Sequence, residues 1–231
     1  QNSKKSLVAN NELITDLKLN LKNEKILNND KVLILDLLLS HFLEKGELIE
    51  FKRLYQNNLT LLKKDPLKMY FWESVSSNYS RAYLKSLSAA KKHLNEAIKI
   101  KNNDEISKAY RILAVSNMFL NNKDSSLFYA NLSLNFARRS SAEDAVLKTF
   151  KTQSEIYNHF GMIGQSTSVL IKFIDQAEEN RDDKNICWGT IQIAEKSFQI
   201  RYYNEAKTYY RKALSIAEKN NAIFYKSVIY R

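Results

Sequence analysis

The stretch "YYRKALSIAEKNN", residues 209–221, places Ala213, Leu214 and Ala217 on one side of a helix, with Tyr210 a turn earlier and Lys, Arg and Glu on the other side. Two small apolar residues four apart in an otherwise bulky pattern call for a partner that approaches closely. The same arrangement recurs upstream as "SLSAAKKHLNEA" (86–97), "SLFYANLSLNFA" (126–137) and "STSVLIKFIDQA" (166–177). The last alanines, Ala97, Ala137, Ala177 and Ala217, are spaced by 40 residues, as are Leu94, Leu134, Ile174 and Leu214 three positions earlier. Four copies in one register, without a gap, are the signature of a helical repeat array.

Each copy divides into two helical patterns. In the last, a first helix over about 184–200 is followed by the turn "RYYN" and a second helix over 204–219. The first helix of the copy before it, about 144–160, ends at Gly161, suited to close a helix in the left-handed conformation. Asp65-Pro66 supplies a capping carboxylate followed by Pro at the first helical position. Connections such as "KNND", "NNKD" and "ENRDD" are rich in Asn and Asp. One period back, Leu54 falls in register, "LILDLLLSHFLEKG" reads as a first helix, and Asn57 stands at the Ala position. One period further, Ile14 and Leu17 make 6–22 a second helix of a leading copy.

Composition agrees. The 231 residues are 44% hydrophobic and 26% charged, with only four Gly and one Pro. Sheets and hairpins need turn residues with positive φ, so the scarcity disfavours β and doubly wound folds. Thirty-six Lys and Arg against 25 Asp and Glu leave a net charge of +11, a field that favours acidic partners. The cations are spread along the chain, whereas nucleic-acid binding asks for a clustered stripe. Cys187 stands alone, so no disulfide forms within the chain and the fold holds by packing. "VLILDLLL" (32–39) is too short to span a membrane and is interrupted by Asp36. Gln1 in place of Met, and the broken-off look of "AIFYKSVIYR", suggest a fragment or processed chain. The compartment stays open: cytoplasm, or periplasm and beyond if a signal peptide preceded Gln1.

The block Ala206-x3-Tyr210-x2-Ala213-Leu214-x2-Ala217 resembles the second helix of a tetratricopeptide repeat, and "SEIYNHFG" (154–161) resembles the end of a first helix. The period is 40 rather than about 34, and Ser replaces Ala206 in the three other copies. This resembles the extended tetratricopeptide-like repeats of bacterial signalling proteins; HEAT-like pairs rank second. The resemblance implies an all-α fold, a right-handed α-solenoid of antiparallel helix pairs. The expected layout is a single solenoid: degenerate repeats at 1–65, four repeats over 66–219, and the first helix of a truncated repeat at 220–231.

The resemblance also implies a concave face lined by first helices, exposing the second, fifth, ninth and twelfth positions of each copy. Those positions include Lys68, Phe71 and Asn78; Lys108, Arg111 and Met118; Lys148, Lys151 and Asn158; and Trp188, Ile191 and Phe198. Lys68, Lys108, Arg111, Lys148 and Lys151 make a basic lane, flanked by the amides of Asn78 and Asn158 and the rings of Phe71 and Trp188. Such a lane suits a peptide, with cations pairing to carboxylates and amides bonding to an extended backbone. It follows the logic of carboxylate-clamp repeats without reproducing their pattern.

No catalytic constellation can be assembled. His41, His93 and His159 stand apart without metal-ligand spacing, "GMIG" (161–164) lacks the Lys of a phosphate loop, and Cys187 reads as a small packing residue. No cofactor or metal is expected. The function expected is a non-enzymatic scaffold for a protein or peptide, an acidic one suiting the lane, in a bacterial signalling or regulatory protein. Nucleic-acid binding through the basic surface is the alternative.

Overall fold

The computed structural model describes residues 2–219, with side chains from residue 12 onward. The expected helix at 220–231 lies outside the described residues. Among the described residues every regular element is a helix. The chain divides between Ile100 and Lys101 into two compact units.

The first unit holds α1 (Asn2–Lys22), α2 (Asn28–Glu44), α3 (Leu48–Asn57), α4 (Leu59–Leu62), α5 (Pro66–Tyr79) and α6 (Tyr83–Lys99). Its core gathers Leu35, Leu38, Leu39 and Phe42 of α2 with Phe51, Leu62 and Trp72, all nearly or fully buried. Asp36 interrupts the apolar run of α2 and is used: Trp72 Nε1 donates to its Oδ1 at 2.8 Å and Lys68 Nζ lies 2.8 Å from its Oδ2. The second unit holds α7 (Asn103–Phe119), α8 (Lys123–Ala137), α9 (Ala145–His159), α10 (Ile163–Glu179), α11 (Asp183–Gln199) and α12 (Tyr203–Lys219). Consecutive helices pack as pairs, α5 with α6, α7 with α8, α9 with α10 and α11 with α12.

The 40-residue register is kept at the backbone level. First helices end at Tyr79, Phe119, His159 and Gln199, and second helices begin at Tyr83, Lys123, Ile163 and Tyr203. Between them, Arg81, Asn121, Gly161 and Arg201 take left-handed backbone, with φ values of 59°, 60°, 70° and 65°. Each sits at the centre of a Schellman closure: Gly161 N–H donates to Asn158 O and Met162 N–H to Tyr157 O, with the same pair of bonds at the other three turns. Side-chain caps open three first helices, from Asp65, Asn102 and Asp182.

Small residues sit where helices touch. Ala97, Ala137, Ala177 and Ala217 are 0–2% exposed. The Ser that replaces Ala206 in three copies forms a bond between the two helices of a pair: Ser86 Oγ donates to Ser74 O, Ser126 to Ala114 O and Ser166 to Ser154 O, at 2.8–2.9 Å. Each spans a buried crossing that an alanine would leave with one carbonyl less satisfied. In the fourth pair Ala206 and Ala194 are both buried without such a bond.

Candidate functional site

In the second unit, α7, α9 and α11 carry most of the residues expected to form the lane. On α7, Lys108 Nζ reaches Asp104 Oδ2 at 2.6 Å and Glu105 Oε1 at 3.0 Å. Burial disfavours its charge, but Glu105 and Asp104 outweigh this and hold the ammonium above its usual pKa. Arg111, one turn on, is half-buried, and among the described residues no carboxylate lies within 4.0 Å of its guanidinium. Burial pulls its pKa down, against the longer-range attraction of Asp104, Asp144, Glu155 and Glu105.

On α9, Lys148 pairs with Asp144 one turn back at 2.6 Å. Lys151 turns the other way, toward α11. Its Nζ donates to Asn185 Oδ1 at 2.8 Å and sits 4.4 Å from the Trp188 ring centre and 5.3 Å from that of Phe173. Burial first, and then Lys184, lower its pKa. Asn185 is fixed by its own backbone N–H donating to the cap residue Asp182 at 3.0 Å, and Trp188 stands edge-on to Phe173 at 5.1 Å. Glu155 lies one turn beyond Lys151. It reaches solvent yet is walled by protein, a setting that pushes its pKa up against the pull of Lys151 and Arg111. Asn158 is half-buried on the same helix, and Phe198 is exposed at the end of α11, whereas Met118 and Ile191 are buried in the core rather than displayed.

In the first unit, Lys68 is held by Asp36, and Phe71 packs edge-on against Trp72 at 4.7 Å and His93 at 5.3 Å. Asn78 is half-buried at the end of α5.

The cations expected to form the lane are therefore interleaved with carboxylates. The pairs Asp104–Lys108 and Asp144–Lys148 are written in the sequence as an acid four residues before a lysine, the spacing of a helical ion pair. Asn185 and Glu155 carry no such local signal, since their roles arise from helices brought together by packing. Cys187 is 1% exposed, its thiol directed at Ala213 O at 3.5 Å and its pKa raised by burial, the opposite of an activated nucleophile. Among the described residues no group of His, Cys, Asp and Glu is placed to hold a metal, and no helix is long and apolar enough to cross a membrane.

No family model and no curated protein matches the sequence. Solved structures do match. A Rap protein complexed with competence and sporulation factor is similar over 95% of this chain, with a TM-score of 0.78 and 11% identity. The aspartyl phosphate phosphatase F of Bacillus subtilis is similar over 97%, with a TM-score of 0.65 and 18% identity. A signal transduction ATPase with a tetratricopeptide repeat sensor, PH0952 of Pyrococcus horikoshii, is similar over 88%, with a TM-score of 0.70 and 14% identity. The chain spans 62%, 63% and 31% of those three proteins respectively. At these identities the likeness establishes the fold, and the fold is that of a tetratricopeptide-like array of paired helices.

Proposed function

We propose that this chain is a non-enzymatic binding module of bacterial signalling that takes a peptide or an extended protein segment along the first-helix face of its second unit. The observation that carries the reading is Arg111. A half-buried guanidinium left open while the other expected cations Lys108, Lys148 and Lys151 are each already engaged is a preformed receptor for a carboxylate, and a bidentate one by geometry. On the neighbouring first helices, Trp188 of α11 offers an aromatic ring and Asn158 of α9 an amide, the two complements of an extended peptide. The same fold in a Rap protein is complexed with competence and sporulation factor, and in PH0952 it is named as a sensor, which supports a role in signal reception.

An acidic residue on the ligand meets Arg111 in this reading. Titration of an acidic peptide library should show binding that falls by about 10-fold or more in Arg111→Ala, and further in the variant with Lys108, Arg111, Lys148 and Lys151 all changed to Ala. Equal affinity in all three proteins would remove this face from consideration. The nucleic-acid alternative lacks a continuous cationic track, because Asp104, Glu105, Asp144 and Glu155 alternate with the cations. Salt-dependent retardation of RNA or DNA would revive it. One neighbour is named a phosphatase. Release of phosphate from an aspartyl phosphate by this chain would overturn the non-enzymatic reading.

A further inference from the structure

The helix that follows α2 is not continuous. α3 stops at Asn57, Asn58 leaves helical geometry at φ −118°, its side chain donates back to Leu54 O at 2.8 Å, and only the four residues of α4 follow. The break opens a cavity of about 510 Å³ within the first unit, between α3–α4 and the face of α5 that carries Met69, Glu73, Ser76 and Ser77, continued by the cap residue Ser80. These five are spaced as one helical stripe. In later first helices the positions 80 residues on from Met69, Glu73 and Ser76 are closed, Thr149, Gln153 and Ile156 being 0–5% exposed, and so is Ile193, 120 residues on from Glu73, at 1%. On α5 Met69, Glu73 and Ser76 are half-buried and line the cavity instead.

Its hydroxyl groups have no hydrogen-bond partner within the protein among the described residues. Ser77 is 6% exposed and lines the cavity, and among the described residues no hydrogen bond within the protein engages the side-chain hydroxyl of Ser76, Ser77, Ser80 or Tyr55. Ser76 and Tyr55 are half-buried and Ser80 is exposed, so these hydroxyls open onto the cavity and are available to a ligand. Tyr55 stays a neutral O–H donor, its pKa pushed up to about 12 by burial and by Glu73. Glu73 has one ion-pair partner here, Lys85 at 3.4 Å, whose side chain is 64% exposed, so the pair is loose. Lys63 and Lys85 belong to the rim, and Leu59 and Met69 add apolar lining.

We propose that this cavity binds a free α-amino acid with an apolar side chain. The ammonium is taken by Glu73 with the serine and tyrosine oxygens, the carboxylate by Lys63 and Lys85, and the side chain by Leu59, Met69 and the Tyr55 ring. One anion inside and two cations at the rim fit a zwitterion. A lone anion would meet Glu73, and a lone cation would meet the two lysines. The volume falls within the range of small-molecule sites.

Isothermal titration of the full chain with L-leucine and L-phenylalanine, and with phenethylamine and 3-phenylpropanoate, tests this. At least one amino acid should bind, each phenylalanine analogue binding at least about 10-fold more weakly than phenylalanine if that is the ligand. Glu73→Gln should lose about 10-fold in affinity at an unchanged melting temperature, as should the double variant Lys63→Gln, Lys85→Gln. Arg111→Ala should leave amino-acid binding untouched, which separates this site from the peptide face. Failure of both amino acids to bind, equal binding of phenethylamine or 3-phenylpropanoate, or full affinity in Glu73→Gln would each overturn the proposal.

Discussion

Two neighbouring helix contacts in the second unit solve one packing problem in opposite ways. Where α8 meets α9, Ser133 faces Thr149, hydroxyl to hydroxyl at 3.2 Å, and Ser133 also donates to Ser107 O at 2.9 Å. One period later, where α10 meets α11, the equivalent residues are Phe173 and Gly189. A Cβ added at Gly189 would lie 2.8 Å from Ile174 Cγ1 and 2.9 Å from Phe173 Cδ1, so the ring occupies the space that a side chain would have taken. Register fixes which positions meet, and the pair of residues there need only sum to the available volume. The first contact is held by polar bonds between small groups, and the second by a large ring in a matching gap.

The sharpest way to break this contrast is Phe173→Ala. It removes a fully buried ring opposite a glycine, with nothing to fill the void, and should cost about 3–5 kcal/mol in urea denaturation. Gly189→Ala attacks the same contact from the other side by overpacking and should cost about 1–3 kcal/mol, with a smaller loss in a Phe173→Leu background. An undiminished loss there would mean the ring is not what excludes the methyl group. Ser133→Ala should cost only about 0.5–1.5 kcal/mol, because Thr149 keeps its bond to Ala145 O. The contrast extends to the turns that precede α10 and α12. Gly161→Ala should destabilise by about 1 kcal/mol and Arg201→Gly should stabilise by about 0.5–1 kcal/mol, since both hold left-handed backbone and only one is glycine. A higher melting temperature for Gly161→Ala would contradict that assignment.

The repeat was legible because alanine at a helix crossing is selected by volume, and volume repeats with the period. Ala97, Ala137, Ala177 and Ala217 announced it directly. The turns at "NNKD" and "RYYN" were legible as connections, but the left-handed residue was legible only at Gly161, because Arg81, Asn121 and Arg201 take the same φ without glycine. Ser86, Ser126 and Ser166 look like departures from an alanine pattern, yet their hydroxyls tie the pairs together. The break at Asn58 has no Gly or Pro to advertise it, and it lies in a region whose register is faint. In the lane, the cations were visible as letters, but their engagement was visible only in part. Asp104 and Asp144 stand at helical spacing from their lysines, whereas the bond from Lys151 to Asn185 joins residues 34 apart.

The strict spacing of the left-handed turns also bears on how such a chain can change length. Asn121 and Gly161 hold the same backbone conformation and the same closing bonds. Removing residues 122–161 would carry Asn121 directly into Met162 and then α10, and would set Ser166 opposite Ala114 in place of Ser126. The edit excises whole helices, cuts at equivalent points and leaves the cap geometry intact. A cut one residue longer or shorter would rotate α10 by about 100° about its axis and turn its buried face to water. In this chain the unit of heritable change that the fold tolerates is the period itself.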